Sequence, residues 1–267
     1  MTTKKTLTQD EATQLLTSAT TKGVLTQQTQ AMVTGNLGPL VLAGAAGKDL
    51  EDLEASDVTL VTVLIDASSS IADRGLESSV RDGQNALIDA FSGAKERDSI
   101  LLACWTFNEA AKVLHSYVPV DEATRLDGKN YRGGGATSLY DTWCDALTAN
   151  VAYAQRLRDG GTPARSVVVV VTDGEDVGSK RNAGHCARLS KDLLASELFT
   201  LAFVGVGSDV DFEQVAKAMG VPPGSILVQR DATPSGLRRA FQLVSRSAIR
   251  ASQGRIAPGP TAGFFTT

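Results

Sequence analysis

The chain is poor in the side chains on which nitrogen- and sulfur-ligated metal centres depend. Its 267 residues contain two histidines, His115 and His185, and three widely spaced cysteines. An odd cysteine count without a C-x-x-C pair excludes both a disulfide framework and a zinc pattern. Cys104 lies inside an apolar run and reads as a small core residue, and the histidines read as surface or helix residues rather than bases. Excess positive charge is also missing: a net charge of −4 argues against a general nucleic-acid binder, which needs a concentrated basic surface. No apolar run reaches the roughly 18 residues that a membrane span requires. The opening MTTKKTLTQDEATQLL has no apolar signal core. These absences point to a cytoplasmic, reducing setting and to no membrane partner.

Aromatic residues are absent from residues 1–57, where Thr and Gln are dense and acids gather at the end as DLEDLEASD. This stretch reads as an appendage. Thr8 and Glu11 have capping-box spacing for a helix over 9–20, and a second helix over 26–34 is closed by Gly35. The following LGPLVLAGAAG is apolar but broken by glycines. It is expected either to pack on the main domain or a partner, or to remain a partly ordered leader.

From Val58 the pattern changes to apolar runs that alternate with amphipathic segments, as in βαβ units with a parallel sheet. Strands are expected at 58–66, 99–107, 111–117, 166–172, 198–205 and 225–229. Helices are expected at 76–94, 138–157, 182–196, 210–219 and 234–251. The last helix has a core stripe of Leu237, Ala240, Phe241, Val244 and Ala248, with Arg238, Arg239, Arg246 and Arg250 projecting elsewhere and Arg255 following. The tail at 253–267 carries Gly and Pro at spacings that forbid regular structure and is expected to be flexible, unless Phe264 and Phe265 anchor in a groove.

The stretch VTVLIDASSS, residues 61–70, carries the chemistry. Its β-branched run reads as a strand buried on both faces that delivers Asp66 to its tip. Asp66, Ser68 and Ser70 alternate just past that tip, so a loop can turn three oxygens towards one point. Oxygen donors with a single formal charge suit a hard cation such as Mg²⁺. The five valines of SVVVVVTDG mark a mid-sheet strand that ends at Asp173. In an open α/β sheet ligands bind at the carboxyl ends of strands, so both acids are expected to face one crevice. Between them, YRGGGATSLYD places Thr137 after a glycine-rich loop. A phosphate cradle is the weaker reading of that loop, because it lacks the lysine-bearing P-loop pattern.

Together, DASSS at 66–70, the glycine-rich loop ending in Thr137 and VVTDGED with Asp173 resemble the von Willebrand factor A domain, the integrin I-like fold. The resemblance covers about residues 58–252 and implies a doubly wound α/β domain with a mostly parallel sheet and helices on both faces. It also implies a metal-ion-dependent adhesion site (MIDAS) at Asp66, Ser68, Ser70, Thr137 and Asp173 that binds Mg²⁺, with Mn²⁺ or Ca²⁺ as substitutes. Ser68 and Ser70 would bind the ion directly, Asp66 and Asp173 mostly through water, and Thr137 in either way. An Asp or Glu of a protein partner would complete the coordination. Asn108, Gly135, Glu175 and Asp176 are expected to rim the site. The context looks like bacterial stand-alone proteins of the tellurite-resistance type, which accompany MoxR-type AAA+ ATPases, kinases and phosphatases, or stress and defence operons.

Binding by itself requires no reaction, and the chain is expected not to be an enzyme. Two alternatives stay open. A Mg²⁺-dependent phosphatase would use Asp66 as nucleophile, but its usual second acid is replaced by Ser68. An RNA-associated module would use the arginines of the last helix. The acids Glu51, Asp52, Glu54 and Asp57 of the leading segment are further candidates to reach the ion from within the chain.

Overall fold

The computed structural model describes residues 6–53, 55–261 and 263–265. The central strand β1 (Val58–Asp66) is buried along its whole length, as its run of aliphatic residues requires. It pairs in parallel with β2 (Ile100–Phe107) on one side and β4 (Ala164–Thr172) on the other. Beyond β4 lie β5 (Phe199–Val206) and β6 (Ile226–Gln229), both parallel, and beyond β2 lies the antiparallel β3 (Ala111–Pro119). The order of this 6-stranded sheet is β3-β2-β1-β4-β5-β6. Successive strands are added outward on one side of β1 and then on the other. This switch between β1 and β4 opens a crevice at the carboxyl ends of those parallel strands, where Asp66 and Thr172–Asp173 lie.

Alternation along the strands feeds two cores. Val61, Val63 and Ile65 pack with Leu87, Ile88 and Phe91 of α5 (Glu77–Ser92) and with Leu237, Phe241 and Val244 of α9 (Pro234–Ser252). On the other face Leu64, Val168, Val170 and Phe203 meet Leu139 and Leu147 of α6 (Leu139–Asp159), Leu189 of α7 (Ala183–Ala195) and Phe212 of α8 (Phe212–Ala218). Each aliphatic side chain buried this way contributes about 1.5–3 kcal/mol. The short α4 (Ser69–Asp73) follows β1 directly. Among the described residues no helix is long and apolar enough to cross a membrane.

The leading segment folds onto the second core. In α1 (Gln9–Thr21) Thr8 and Glu11 form the expected capping box, and Ala12, Leu16 and Ala19 turn inward, with the helix against α6. After α2 (Gln27–Thr34) comes α3 (Pro39–Gly44), a helix not expected from its glycine-broken sequence, which packs on α6 and β3. Close approach explains Gly44: a Cβ there would collide with the Trp105 ring. The chain then runs beside β3, where Lys48 donates to Tyr117 O at 3.1 Å and Tyr117 donates to Ala46 O at 3.3 Å. These bonds cover part of an otherwise open sheet edge.

Two expectations give way to this packing. His115, read as a surface or helix residue, is buried in β3 opposite Cys104 of the neighbouring strand. The tail lies against the domain: Gly259 donates to Phe199 O, Phe264 to Ser225 Oγ and Phe265 to Gly224 O. The Phe264 ring is 0% exposed and completes the α5/α9 core.

Gly44→Ala is expected to cost about 1–3 kcal/mol by overpacking against Trp105. Urea denaturation should show a lower midpoint with an unchanged slope. An unchanged midpoint would mean that α3 is not clamped there.

Candidate metal centre

At the tip of β1 the Asp66 carboxylate is 1% exposed. Its Oδ1 accepts the Ser68 backbone N–H at 2.8 Å and its Oδ2 accepts the Thr172 hydroxyl at 2.5 Å. The first of these bonds bends the chain away from the strand and into α4. The glycine-rich loop is laced to the same turn: Ser69 donates to Gly135 O at 3.0 Å and Gly134 to Ala67 O at 2.9 Å. Gly135 has φ +80°, a left-handed conformation that favours glycine. The Tyr131 hydroxyl donates to Asp66 O from below the loop.

A hydroxyl chain runs from this turn to β4. Ser68 Oγ and Ser70 Oγ lie 3.0 Å apart, and Ser70 Oγ donates to Asp173 Oδ1 at 2.7 Å. Because Ser70 gives its proton to Asp173, Ser68 is the donor between the two serines. Thr137 is held by Val177 and Gly178, which both donate to its carbonyl. A Cβ placed on Gly174 would lie 3.4 Å from Thr137 Oγ1 and 3.9 Å from Ser70 Oγ, so the two hydroxyls flank one space beside Asp173. The five expected ligand residues are thus brought to one crevice.

The electrostatics favour a cation in that crevice. Burial pushes the Asp66 carboxyl up to about 6, against the hydrogen bonds of Thr172 and Ser68. Asp173 is also raised by burial, opposed by the Ser70 hydrogen bond and the Arg74 charge. Asp173 Oδ2 is buried with no hydrogen-bond partner among the described residues; the nearest cation, Arg74 Nη1, stands 3.5 Å away. No cluster of three or more His, Cys, Asp or Glu side chains among the described residues can hold a metal. The donors are therefore three hydroxyls and two carboxylates, a set that fits a hard divalent ion and leaves it residual positive charge.

The expected rim divides. Gly135 and Glu175 are exposed at the edge of the crevice. Asn108 braces the loop instead, donating from Nδ2 to Gly134 O at 2.7 Å and accepting from the Ser138 N–H and hydroxyl. Asp176 caps the start of α6, accepting from the Tyr140 N–H at 3.0 Å and the Ser179 hydroxyl. Its neighbour in that role is Asp141, which accepts from Lys180 and Arg181. Both acids sit where the α6 dipole stabilises negative charge.

The acids of the leading segment do not reach the centre of their own molecule. Asp57 precedes β1, and nine residues at about 3.3 Å each put roughly 26 Å between the ends of that strand. Asp49 pairs with Arg156 near the far end of α6, and Leu50 packs against Gly160, which holds Glu51 and Asp52 at that far end too. Glu54 lies outside the described residues.

Thr172, Tyr131 and Arg74 also belong to the centre, although the sequence reading did not single them out. Thr172 and Tyr131 adjoin motif residues, so that adjacency was the available signal. The arginines of α9 divide as well: Arg238, Arg239 and Arg246 are exposed, Arg250 is half-buried, and Arg239 pairs with Asp231 at 3.3 Å.

A family model for the von Willebrand factor type A domain matches residues 61–240, more than half of the chain. No curated protein sequence matches. Among solved structures, the PilB minor pilin from Streptococcus sanguinis superposes with a TM-score of 0.53 at 12% identity, over 77% of this chain and 64% of that one. The pilus adhesin SpaC from Lactobacillus rhamnosus GG gives 0.55 at 12% identity, over 74% and 30%. Proximal thread matrix protein 1 from the mussel byssus, with a zinc-occupied MIDAS motif, gives 0.48 at 20% identity, over 72% and 46%. The match spans less than two thirds of each of these chains.

Asp66 makes metal-free stability depend on pH. Its folded value of about 6 lies above the ordinary 3.8, so between those values the folded state binds the extra proton and stability falls as pH rises. With EDTA present, the wild type should lose up to about 3 kcal/mol relative to Asp66→Asn on going from pH 4 to pH 7. Urea denaturation at the two pH values measures this, and parallel curves for the two proteins would refute it.

Proposed function

Because the chain belongs to the von Willebrand factor type A domain family, we propose that it is a metal-dependent protein-binding module and not a catalyst. The ion is Mg²⁺, with Mn²⁺ able to replace it, held by Ser68 and Ser70 with Asp66, Thr137 and Asp173 around them. Bound there, a divalent cation supplies an open coordination position for an Asp or Glu carboxylate of a partner. The observation that carries this reading is the buried Asp173 Oδ2, which among the described residues has no hydrogen bond, beside a chain of serine hydroxyls.

The residues divide the work. Ser68 and Ser70 offer neutral oxygens, which leave positive charge for the partner. Asp66 and Asp173 fix those hydroxyls through the Ser68 backbone and the Ser70 proton. The exposed Gly135 and Glu175 set the shape and charge of the entrance. A charge-assisted contact of this kind is demanding in geometry and therefore selective. The partner is a protein encoded alongside this one in a bacterial stress, defence or assembly system, with an AAA+ ATPase as the leading class. That choice rests on family resemblance.

The exposed Arg238 and Arg246 favour a second reading, an RNA-associated module. Among the described residues neither pairs with an acid. RNA affinity that falls steeply with rising salt would support it. For the phosphatase reading, the place of a general acid is filled by the Ser68 hydroxyl, which is hydrogen-bonded to Ser70.

Calorimetric titration should show Mn²⁺ and Mg²⁺ binding to the wild type. Asp66→Ala and the Ser68→Ala/Ser70→Ala pair should bind at least about tenfold more weakly, a loss of about 1.4 kcal/mol. Partner capture should need both wild-type protein and Mg²⁺ and be lost in EDTA. Equal capture in all arms would remove the crevice as the binding surface.

A further inference from the structure

Arg74 places a fixed positive charge beside a centre suited to a metal cation. It is the C-cap of α4, which begins at Ser69, and its side chain turns back over the crevice. The guanidinium lies between two carboxylates of unlike setting. Nη2 is 2.6 Å from Asp209 Oδ2, on a side chain that is 71% exposed, whereas Nη1 is 3.5 Å from Asp173 Oδ2, on a side chain that is 0% exposed. The grip is close on the solvent side and loose on the buried side. The berth is also specific, because Gly207 has φ +117° and a Cβ there would lie 2.8 Å from Arg74 Nη1. The left-handed backbone at 207 favours glycine, and the missing side chain leaves room for the Arg74 guanidinium beside it.

We propose that Arg74 is a built-in competitor of the divalent ion, which neutralises Asp173 in the metal-free protein and is displaced onto Asp209 when the ion binds. The proposal rests on the metal-binding reading above. Asp173 Oδ2 is a buried carboxylate oxygen with no hydrogen bond among the described residues, and it cannot fully serve a guanidinium and a divalent ion at once. Like charges a few ångströms apart in a half-buried site repel strongly. Asp209 is already in contact with Arg74, so displacement needs only a shift of the guanidinium away from Asp173. Arg74 thereby lowers the affinity for the ion. Occupancy then follows the ion concentration instead of remaining saturated, and the displaced guanidinium stands beside the face where a partner carboxylate arrives.

The test is Mn²⁺ titration of the full chain, by calorimetry and by the Mn²⁺ electron paramagnetic resonance signal, in wild type, Arg74→Gln, Asp209→Asn and the double variant. Circular dichroism checks the fold of each. Arg74→Gln should bind Mn²⁺ about tenfold more tightly, and Asp209→Asn more weakly, because Arg74 then has only Asp173 to hold. In the Arg74→Gln background, Asp209→Asn should change affinity by less than about twofold, since the latch it serves is gone. Unchanged or weaker binding by folded Arg74→Gln would overturn the competitor role and make Arg74 a positioning residue for Asp173. An equal effect of Asp209→Asn in both backgrounds would also overturn it, because Asp209 would then act by its own charge. If Arg74→Gln does not fold, unchanged or tighter binding by Asp209→Asn alone overturns the proposal. Failure of wild type and Arg74→Gln alike to bind Mn²⁺ would refute the metal reading and this proposal together.

Discussion

A carboxylate taken out of water at the end of a buried strand is costly unless hydrogen bonds or positive charge replace the lost solvation. β1 imposes that cost, because it is covered on both faces and ends in Asp66 at 1% exposure. The surrounding architecture answers it. Ser68 folds its N–H back onto Asp66, which sets the turn and places Ser68 and Ser70 one after the other along the crevice. Thr172 reaches across from β4, which fixes where Asp173 begins. The Tyr131 hydroxyl donates to the Asp66 carbonyl and so ties the segment before the glycine-rich loop to the same turn. Even so, burial dominates and the carboxyl remains raised, so the charge balance stays short of positive charge at that point.

The parts of this arrangement that were legible in the sequence obey local rules. A run such as SVVVVVT can be satisfied only by burial on both faces, and an acid that follows it must emerge at the sheet edge. That logic placed the strands and brought Asp66 and Asp173 together. Thr8 and Glu11 named their helix start because a capping box is closed within four residues. Arg74 was not legible, because its meaning depends on Asp209, 135 residues away, and on the space left by Gly207. The capping role of Asp176 was not legible for a related reason: it depends on the free N–H of Tyr140, 36 residues back in the chain. Phe264 depended on which surface the final segment would cover.

The two ends of the sheet are held by different means. At the end away from the crevice, Tyr117 stacks on Tyr153 at 4.7 Å, the Tyr153 hydroxyl donates to Lys48 O, and Arg156 grips Asp49. These contacts fasten the leading segment to α6 and β3 through rings and an ion pair in a closely packed region. At the crevice the loops touch through hydrogen bonds, from the backbone of Ser69 to Gly135, Gly134 to Ala67 and Ser138 to Asn108, and from the side chains of Asn108 and Tyr131. Such bonds fix the position of a loop relative to its neighbour but bury little apolar surface, so loops held this way open at lower free-energy cost than the core. The turn that carries Ser68 and Ser70 therefore bears directly on Gly134 and Gly135, and Asn108 braces that loop through Gly134. The aromatic clamp around α6 holds the opposite end of the sheet. The two ends thus differ in kind, with stacked rings and an ion pair at one and hydrogen-bonded loops at the other.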